Sequence, residues 1–303
     1  MTDLADDVVS AREAARERAL QLRDEQKKMD RRRRLMGAGI VVGSVLVIVA
    51  VVTALALSQG TRTQRGPANM LSDGIKMGVG EAAERTVGLA PGATPRAFAA
   101  NDPSVTDIRI YVDYLCERCG AFQRSNGAQL TGWLTSGAAT VEVHPVALLT
   151  TNSAGTQYSL RAANAAACVA QYSPDTFYRF HTSLLSDQPK EGTAGLSDEQ
   201  LIDRAKDAGV RSLSTIGECI HGQRFKSWVQ AATSRALAGP LPNTELDAIP
   251  GPLTVVVNGS AYSYTSKSTA VEFAQFVQLA AGQTFAKKSS STPSPSPSAT
   301  PAP

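Results

Sequence analysis

Apolar and polar side chains alternate along Ile108-Arg109-Ile110-Tyr111-Val112-Asp113-Tyr114, a β-branched and aromatic run that predicts a strand. The period then changes: Gly120 to Leu134 reads as helix, inside a predicted element over 117–136. A second β-rich run covers Ala139–Leu148, and a strand–helix–strand unit of this length predicts a parallel pair with a right-handed crossover. From 157 to 239 the pattern is almost wholly helical, with helices predicted at 161–172, 173–185, 197–208, 212–220 and 224–238. Ser197 stands three residues before Gln200, the spacing of a capping box. Phe177, Phe180, Leu184 and Leu185 recur at helical spacing and predict core rather than a substrate groove. Beyond this insertion β pattern resumes at Leu253–Val257. Asn258-Gly259 predicts a hairpin turn, Ala261–Tyr264 the return strand, and Lys267–Ala281 a final amphipathic helix.

Charge changes the picture at both ends. The 303 residues carry a net charge of only +3, but Lys27, Lys28 and Arg31 to Arg34 crowd the end of a leader that mixes both signs. The next stretch, Gly37 to Leu57, holds no charge and would span roughly 31 Å as a helix, the thickness of a bilayer core. We expect a transmembrane helix at 36–58, a charged cytoplasmic helical leader at 1–35 and a linker at 59–67. The positive-inside rule then places everything beyond residue 58 outside the cell. Ala54-Leu55-Ala56 has the form of a signal-peptidase site, but the leader is too charged and the apolar run too long for a signal peptide. A globular domain is expected at 68–283, with its helical insert at about 155–240. The Ser/Pro-rich end, 284–303, is expected to be disordered.

Candidate chemistry lies where the first strand meets its helix. Cys116 and Cys119 frame Glu117-Arg118, which puts Cys116 at a helix N-terminus, where unpaired N–H groups and the macrodipole favour a thiolate. A thiolate attacks disulfides, and a second thiol three residues on closes on the first. Half of a zinc site is the other reading of that spacing, but no second Cys-x-x-Cys or His-x-x-x-His pair is present. No metal or cofactor is expected, and no nucleic-acid partner. All four cysteines lie on the outer side of the expected membrane span, where oxidising conditions allow pairing. Cys116 is expected to be solvent-reachable. Arg118 beside it would lower its pKa, and Glu117 would oppose that.

The chain resembles the membrane-anchored DsbA-like thiol:disulfide oxidoreductases of actinobacteria, in the thioredoxin superfamily. The resemblance rests on Asp113-Tyr114-Leu115-Cys116-Glu117-Arg118-Cys119, Tyr158 to Cys168, Gln188-Pro189-Lys190-Glu191-Gly192, Gly195-Leu196-Ser197-Asp198 and Thr254 to Gly259. It covers roughly residues 68–283. The element order fits the fold it implies, an α/β thioredoxin-like fold with a helical insertion. It implies an enzyme that introduces disulfides into exported unfolded proteins with free thiols. Cys116 would be the attacking thiol and Cys119 its resolving partner. Reoxidation would fall to a quinone-linked membrane oxidase resembling vitamin K epoxide reductase.

Further residues take their expected roles from the same resemblance. Cys168 and Cys219 would form a structural disulfide, the alternatives being a second redox pair or two unpaired thiols. The superfamily places a cis-proline before its third strand, facing the cysteines. Ungapped alignment puts Leu253 there with Pro252 one residue early, and Pro252 is taken as the functional proline. Asp113 matches an acidic position and either orients the loop or assists proton transfer. The dipeptide lacks the Pro-His of the strongly oxidising members, so a less extreme potential is expected. A reductase or isomerase on the same fold, or a non-catalytic thioredoxin-like binding module, is the alternative function. His144 and His181 receive no role, and His221 is expected to be an exposed turn residue.

Overall fold

The computed structural model describes residues 65–291, with side chains through 286. The expected leader and membrane span, and the chain from 292 onward, lie outside the described residues. No helix among the described residues is long and apolar enough to cross a membrane.

The alternating run becomes strand β2 (Thr106–Val112), and the second β-rich run becomes β3 (Ala139–Pro145). The two pair in parallel, Ile108 opposite Val141 and Val112 opposite Pro145, as a strand–helix–strand crossover requires. Helix α1 (Glu117–Ser136) makes that crossover and stops at Gly137, whose φ of 75° ends the helix in the left-handed conformation. The segment before residue 103, whose Gly- and Pro-containing pattern suggests an irregular or short-strand entry, supplies edge strand β1 (Ile75–Met77), which pairs antiparallel with β3. On the other side β4 (Leu253–Val257) pairs antiparallel with β2, and β5 (Ser260–Tyr262) with β4. The sheet therefore runs β1-β3-β2-β4-β5.

Between β3 and β4 stand five helices: α2 (Tyr158–Tyr172), α3 (Phe177–Ser186), α4 (Asp198–Asp207), α5 (Leu213–His221) and α6 (Lys226–Ala238). Six alanines of α2 are fully buried, and such small side chains let neighbouring helices approach it closely. The expected capping box closes α4: Gln200 N–H donates to Ser197 Oγ at 3.2 Å and Ser197 N–H to Gln200 Oε1 at 2.8 Å. The final helix, α7 (Ala270–Ser291), corrects the expected tail, since 284–291 are helical. Propagating an existing helix is cheap, Gln283 to Lys288 tolerate it, and the first proline beyond is Pro293.

Each strand sends alternate residues to opposite faces. Ile108, Ile110, Val112, Val141, Val143, Val255 and Val257 enter one core with Phe122 and Leu130 of α1, Phe177 and Phe180 of α3, and Phe273 of α7. Burying each such large side chain is worth about 1.5–3 kcal/mol. The opposite face carries charge. Glu142, 2% exposed, accepts from Ser72 Oγ at 2.6 Å and Arg109 Nε at 3.2 Å, and its Oε1 lies 2.9 Å from His144 Nε2. Burial alone would push this carboxyl up, but His144, Arg109 and Ser72 beside it hold it down at about 2. A carboxyl whose folded pKa is depressed adds stability that is complete above its unfolded value of 4.5 and lost as pH falls towards about 2. Urea midpoints measured across that window should show a flatter acid limb in Glu142→Gln than in wild type. Parallel limbs would refute the assignment.

Candidate active site

Cys116 is the N-cap residue of α1, with extended backbone (φ −71°, ψ 111°) and its Sγ accepting the Cys119 N–H at 3.1 Å. The two cysteines form a disulfide. A tight turn sets the first of them, since Cys116 N–H donates to the Asp113 carbonyl at 3.1 Å. Cys116 was expected to face solvent, yet it is only 2% exposed, and Cys119 1%. Its bridge turns it towards Cys119, and Gln188 lies across its backbone carbonyl.

Pro252 is brought to the site from the loop before β4. Its carbonyl oxygen accepts the Asp113 N–H at 3.1 Å and lies 3.2 Å from Cys119 Sγ. The cis expectation is corrected: among the described residues the cis bond is Gly239–Pro240, and Gly251–Pro252 is trans. Trans is the lower-energy isomer for any X–Pro bond, and a trans Pro252 already presents its carbonyl to both partners.

Asp113 is fully buried beneath the motif and accepts three hydrogen bonds. Leu115 N–H reaches Oδ1 at 2.9 Å, while Leu149 N–H (2.8 Å) and Ser159 Oγ (2.5 Å) reach Oδ2. Burial raises its pKa, and the Ser159, Leu149 and Leu115 bonds act in the opposite direction. The carboxyl thus ties β2, the loop after β3 and α2 together at the base of the redox pair.

The dipeptide between the cysteines points outward. Arg118, expected to bring its charge to Cys116, donates to the Tyr264 carbonyl beyond β5. Tyr264 packs edge-on against Phe122, with ring centroids 5.4 Å apart.

Several residues beside the motif were missed by sequence reasoning. Tyr114, fully buried, pairs its hydroxyl with His181 Nδ1 at 3.1 Å. Burial pushes the His181 pKa down to about 3, so the imidazole is neutral and serves as packing with Phe177 and Tyr178. Ser159 and Gln188 lie in stretches that carried the resemblance, which was the only signal for them. His144 belongs to the Glu142 network on the other sheet face. His221 ends α5 half-exposed, 3.8 Å from Asp198.

The second cysteine pair is also a disulfide, Cys168 of α2 to Cys219 of α5. Both are buried, and the bridge staples two insert helices far along the chain from the Cys116 motif. Among the described residues no cysteine is free, and no cluster of three or more His, Cys, Asp or Glu is arranged to hold a metal.

Comparison with known proteins agrees with this geometry. The sequence model described as Thioredoxin matches residues 100–274, more than half of the chain. Among solved structures, the reduced disulfide bond oxidoreductase DsbG of Mycobacterium tuberculosis is 26% identical, with a TM-score of 0.51 over 73% of this chain and 95% of that one. Oxidised DsbA of the same organism is 26% identical, with a TM-score of 0.51 over 72% of this chain and all of that one. BdbD of Bacillus subtilis, 18% identical with a TM-score of 0.51 over 72% of this chain and 97% of that one, shares the fold. No curated protein matches.

Proposed function

The chain belongs to the thioredoxin family, and we propose that this DsbA-like protein-disulfide oxidoreductase sits at the outer face of a membrane and passes its Cys116–Cys119 disulfide to exported proteins. One observation carries the reading: a bridged Cys-x-x-Cys pair whose first sulfur caps a helix N-terminus, which favours the departing thiolate.

In the forward step a client thiolate attacks Cys116 Sγ, the Cys116–Cys119 bond breaks, and Cys119 leaves carrying the electron pair. A second client thiolate then attacks the client sulfur of the mixed disulfide and releases Cys116 as thiolate. The client loses two electrons and the protein gains them. Asp113, whose carboxyl takes the Leu115 and Leu149 N–H groups and the Ser159 hydroxyl, would hold the loop in place during the exchange. Pro252 presents its carbonyl beside Cys119, and in this reading the loop that carries it is the one a client chain would meet.

Membrane attachment is supported by the uncharged run Gly37 to Leu57 and the basic residues before it. With no second redox pair in the reading, the reduced enzyme needs an external oxidant. A quinone-linked membrane oxidase of the vitamin K epoxide reductase type would fill that place.

The direction is tested by mixing the oxidised full-length protein with a reduced two-cysteine peptide. Client thiols should disappear in step with the appearance of two protein thiols. Reduction of insulin disulfides at a comparable rate would establish the reductase alternative instead, and inertness in both assays a binding module.

A further inference from the structure

The loop between α3 and α4 reaches back from the helical insert onto the first turn of α1. Gln188 Nε2 donates to the Tyr114 carbonyl at 2.8 Å and to the Cys116 carbonyl at 3.0 Å. Three residues on, Glu191 Oε1 accepts the Glu117 N–H at 3.3 Å. The loop is anchored from behind: Gly192 N–H donates to Asn152 O at 2.7 Å, and Arg161 Nη2 to Leu196 O at 2.7 Å. Gly195, with φ +69°, lies so close to Tyr158 that a Cβ there would meet its ring at 2.2 Å. These contacts hold the loop backbone, and from it the exposed Glu191 side chain reaches the first turn of α1.

Two acceptors therefore share the N-terminus of one helix. Cys116 Sγ takes the Cys119 N–H and Glu191 takes the Glu117 N–H. In the disulfide the sulfur is neutral and the pair coexist without conflict. On reduction the sulfur becomes a thiolate at the same helix N-terminus as the Glu191 carboxylate, and like charges there raise each other's energy. We propose that Glu191 is a positioning residue of the redox centre: it restrains the Cys116 thiolate and makes the disulfide less oxidising than the helix N-terminus alone would. The insert then does more than cover the thioredoxin-like core, because one of its loops sets the poise of the thiols. This rests on the thiol-exchange reading above.

Glu191→Gln is the decisive variant, since it keeps an oxygen acceptor for the Glu117 N–H and removes only the charge. Two quantities are read on the full-length protein at low salt. The first is the Cys116 pKa, from iodoacetamide alkylation of the reduced protein across a pH series, with the labelled peptide identified by mass. The second is the equilibrium in which the protein disulfide and two glutathione thiols give two protein thiols and one glutathione disulfide. Glu191→Gln should lower the pKa and raise the equilibrium constant for reduction about two- to fivefold, the size of one charge at a helix terminus. The difference should shrink in about 1 M salt. If wild type exchanges with glutathione and Glu191→Gln matches it in both quantities, this inference alone fails. If the wild-type pair does not exchange at any glutathione ratio, the thiol-exchange reading fails and takes the inference with it.

Discussion

Cys116→Ala should reduce the rate of client oxidation to that of buffer alone, while Cys119→Ala, which also lacks the disulfide, should be trapped as a covalent adduct when its Cys116 thiolate attacks a disulfide-bonded client. The asymmetry follows from position. Both sulfurs are buried, but Cys116 caps α1, so its sulfur gains from the helix N-terminus as a thiolate, whereas Cys119 lies against the Pro252 carbonyl. Removing Cys116 removes both the electrophilic sulfur of the disulfide and the attacking thiolate of the reduced form. Removing Cys119 leaves Cys116 able to join a client disulfide but takes away the partner that would release it. Non-reducing electrophoresis of Cys119→Ala mixed with a disulfide-bonded client should therefore show a dithiothreitol-sensitive adduct, and Cys116→Ala should show none. Adduct formation in Cys116→Ala, or undiminished oxidation by it, would assign the chemistry to another sulfur. Both cysteines are buried, but alanine is a small apolar replacement outside the strands and the insert staple, so both variants should fold, as a thermal scan would register.

The Cys168→Ala/Cys219→Ala double variant should lose stability rather than activity. The bridge closes 51 residues between α2 and α5, and in the chain-entropy account a loop of that size is worth about 4 kcal/mol. For a folded unit of this size each 1 kcal/mol moves Tm by about 2–4 °C, so a fall of about 8–16 °C is expected. Both sulfurs are buried among the packed alanines of α2 and Ile216 and Ile220 of α5, which shields the bridge from mild reductant. Thiol counting on the purified protein should accordingly find two thiols released first, from Cys116–Cys119, and two more only on unfolding. Release of all four together, with Tm unchanged in the double variant, would mean that the second pair also turns over.

How much of this was legible beforehand depends on the range over which each feature is decided. The strand at 106–112, the helix that follows Cys116, the Ser197–Gln200 capping box and the Asn258-Gly259 hairpin rest on residues within a few positions of one another. Periodicity and turn chemistry report on such neighbours directly. The edge strand Ile75–Met77 was legible only as an irregular or short-strand entry, without a position, for the converse reason: three residues carry no usable period, and only pairing with β3 makes them a strand.

The amino-acid sequence by itself determined the reactive pair and where it stands, because a Cys-x-x-Cys between a strand and a helix puts the first sulfur at a helix N-terminus whatever surrounds it. Tertiary structure alone decided what that sulfur meets. Asp113 finds Ser159 46 residues away, Cys116 and Glu117 find Gln188 and Glu191 72 and 74 away, and Arg118 finds the Tyr264 carbonyl 146 away. It also left Pro252 trans and joined Cys168 to Cys219. Local propensity holds no record of such partners: they are set by how the insert packs on the sheet, and packing is a property of the whole buried surface.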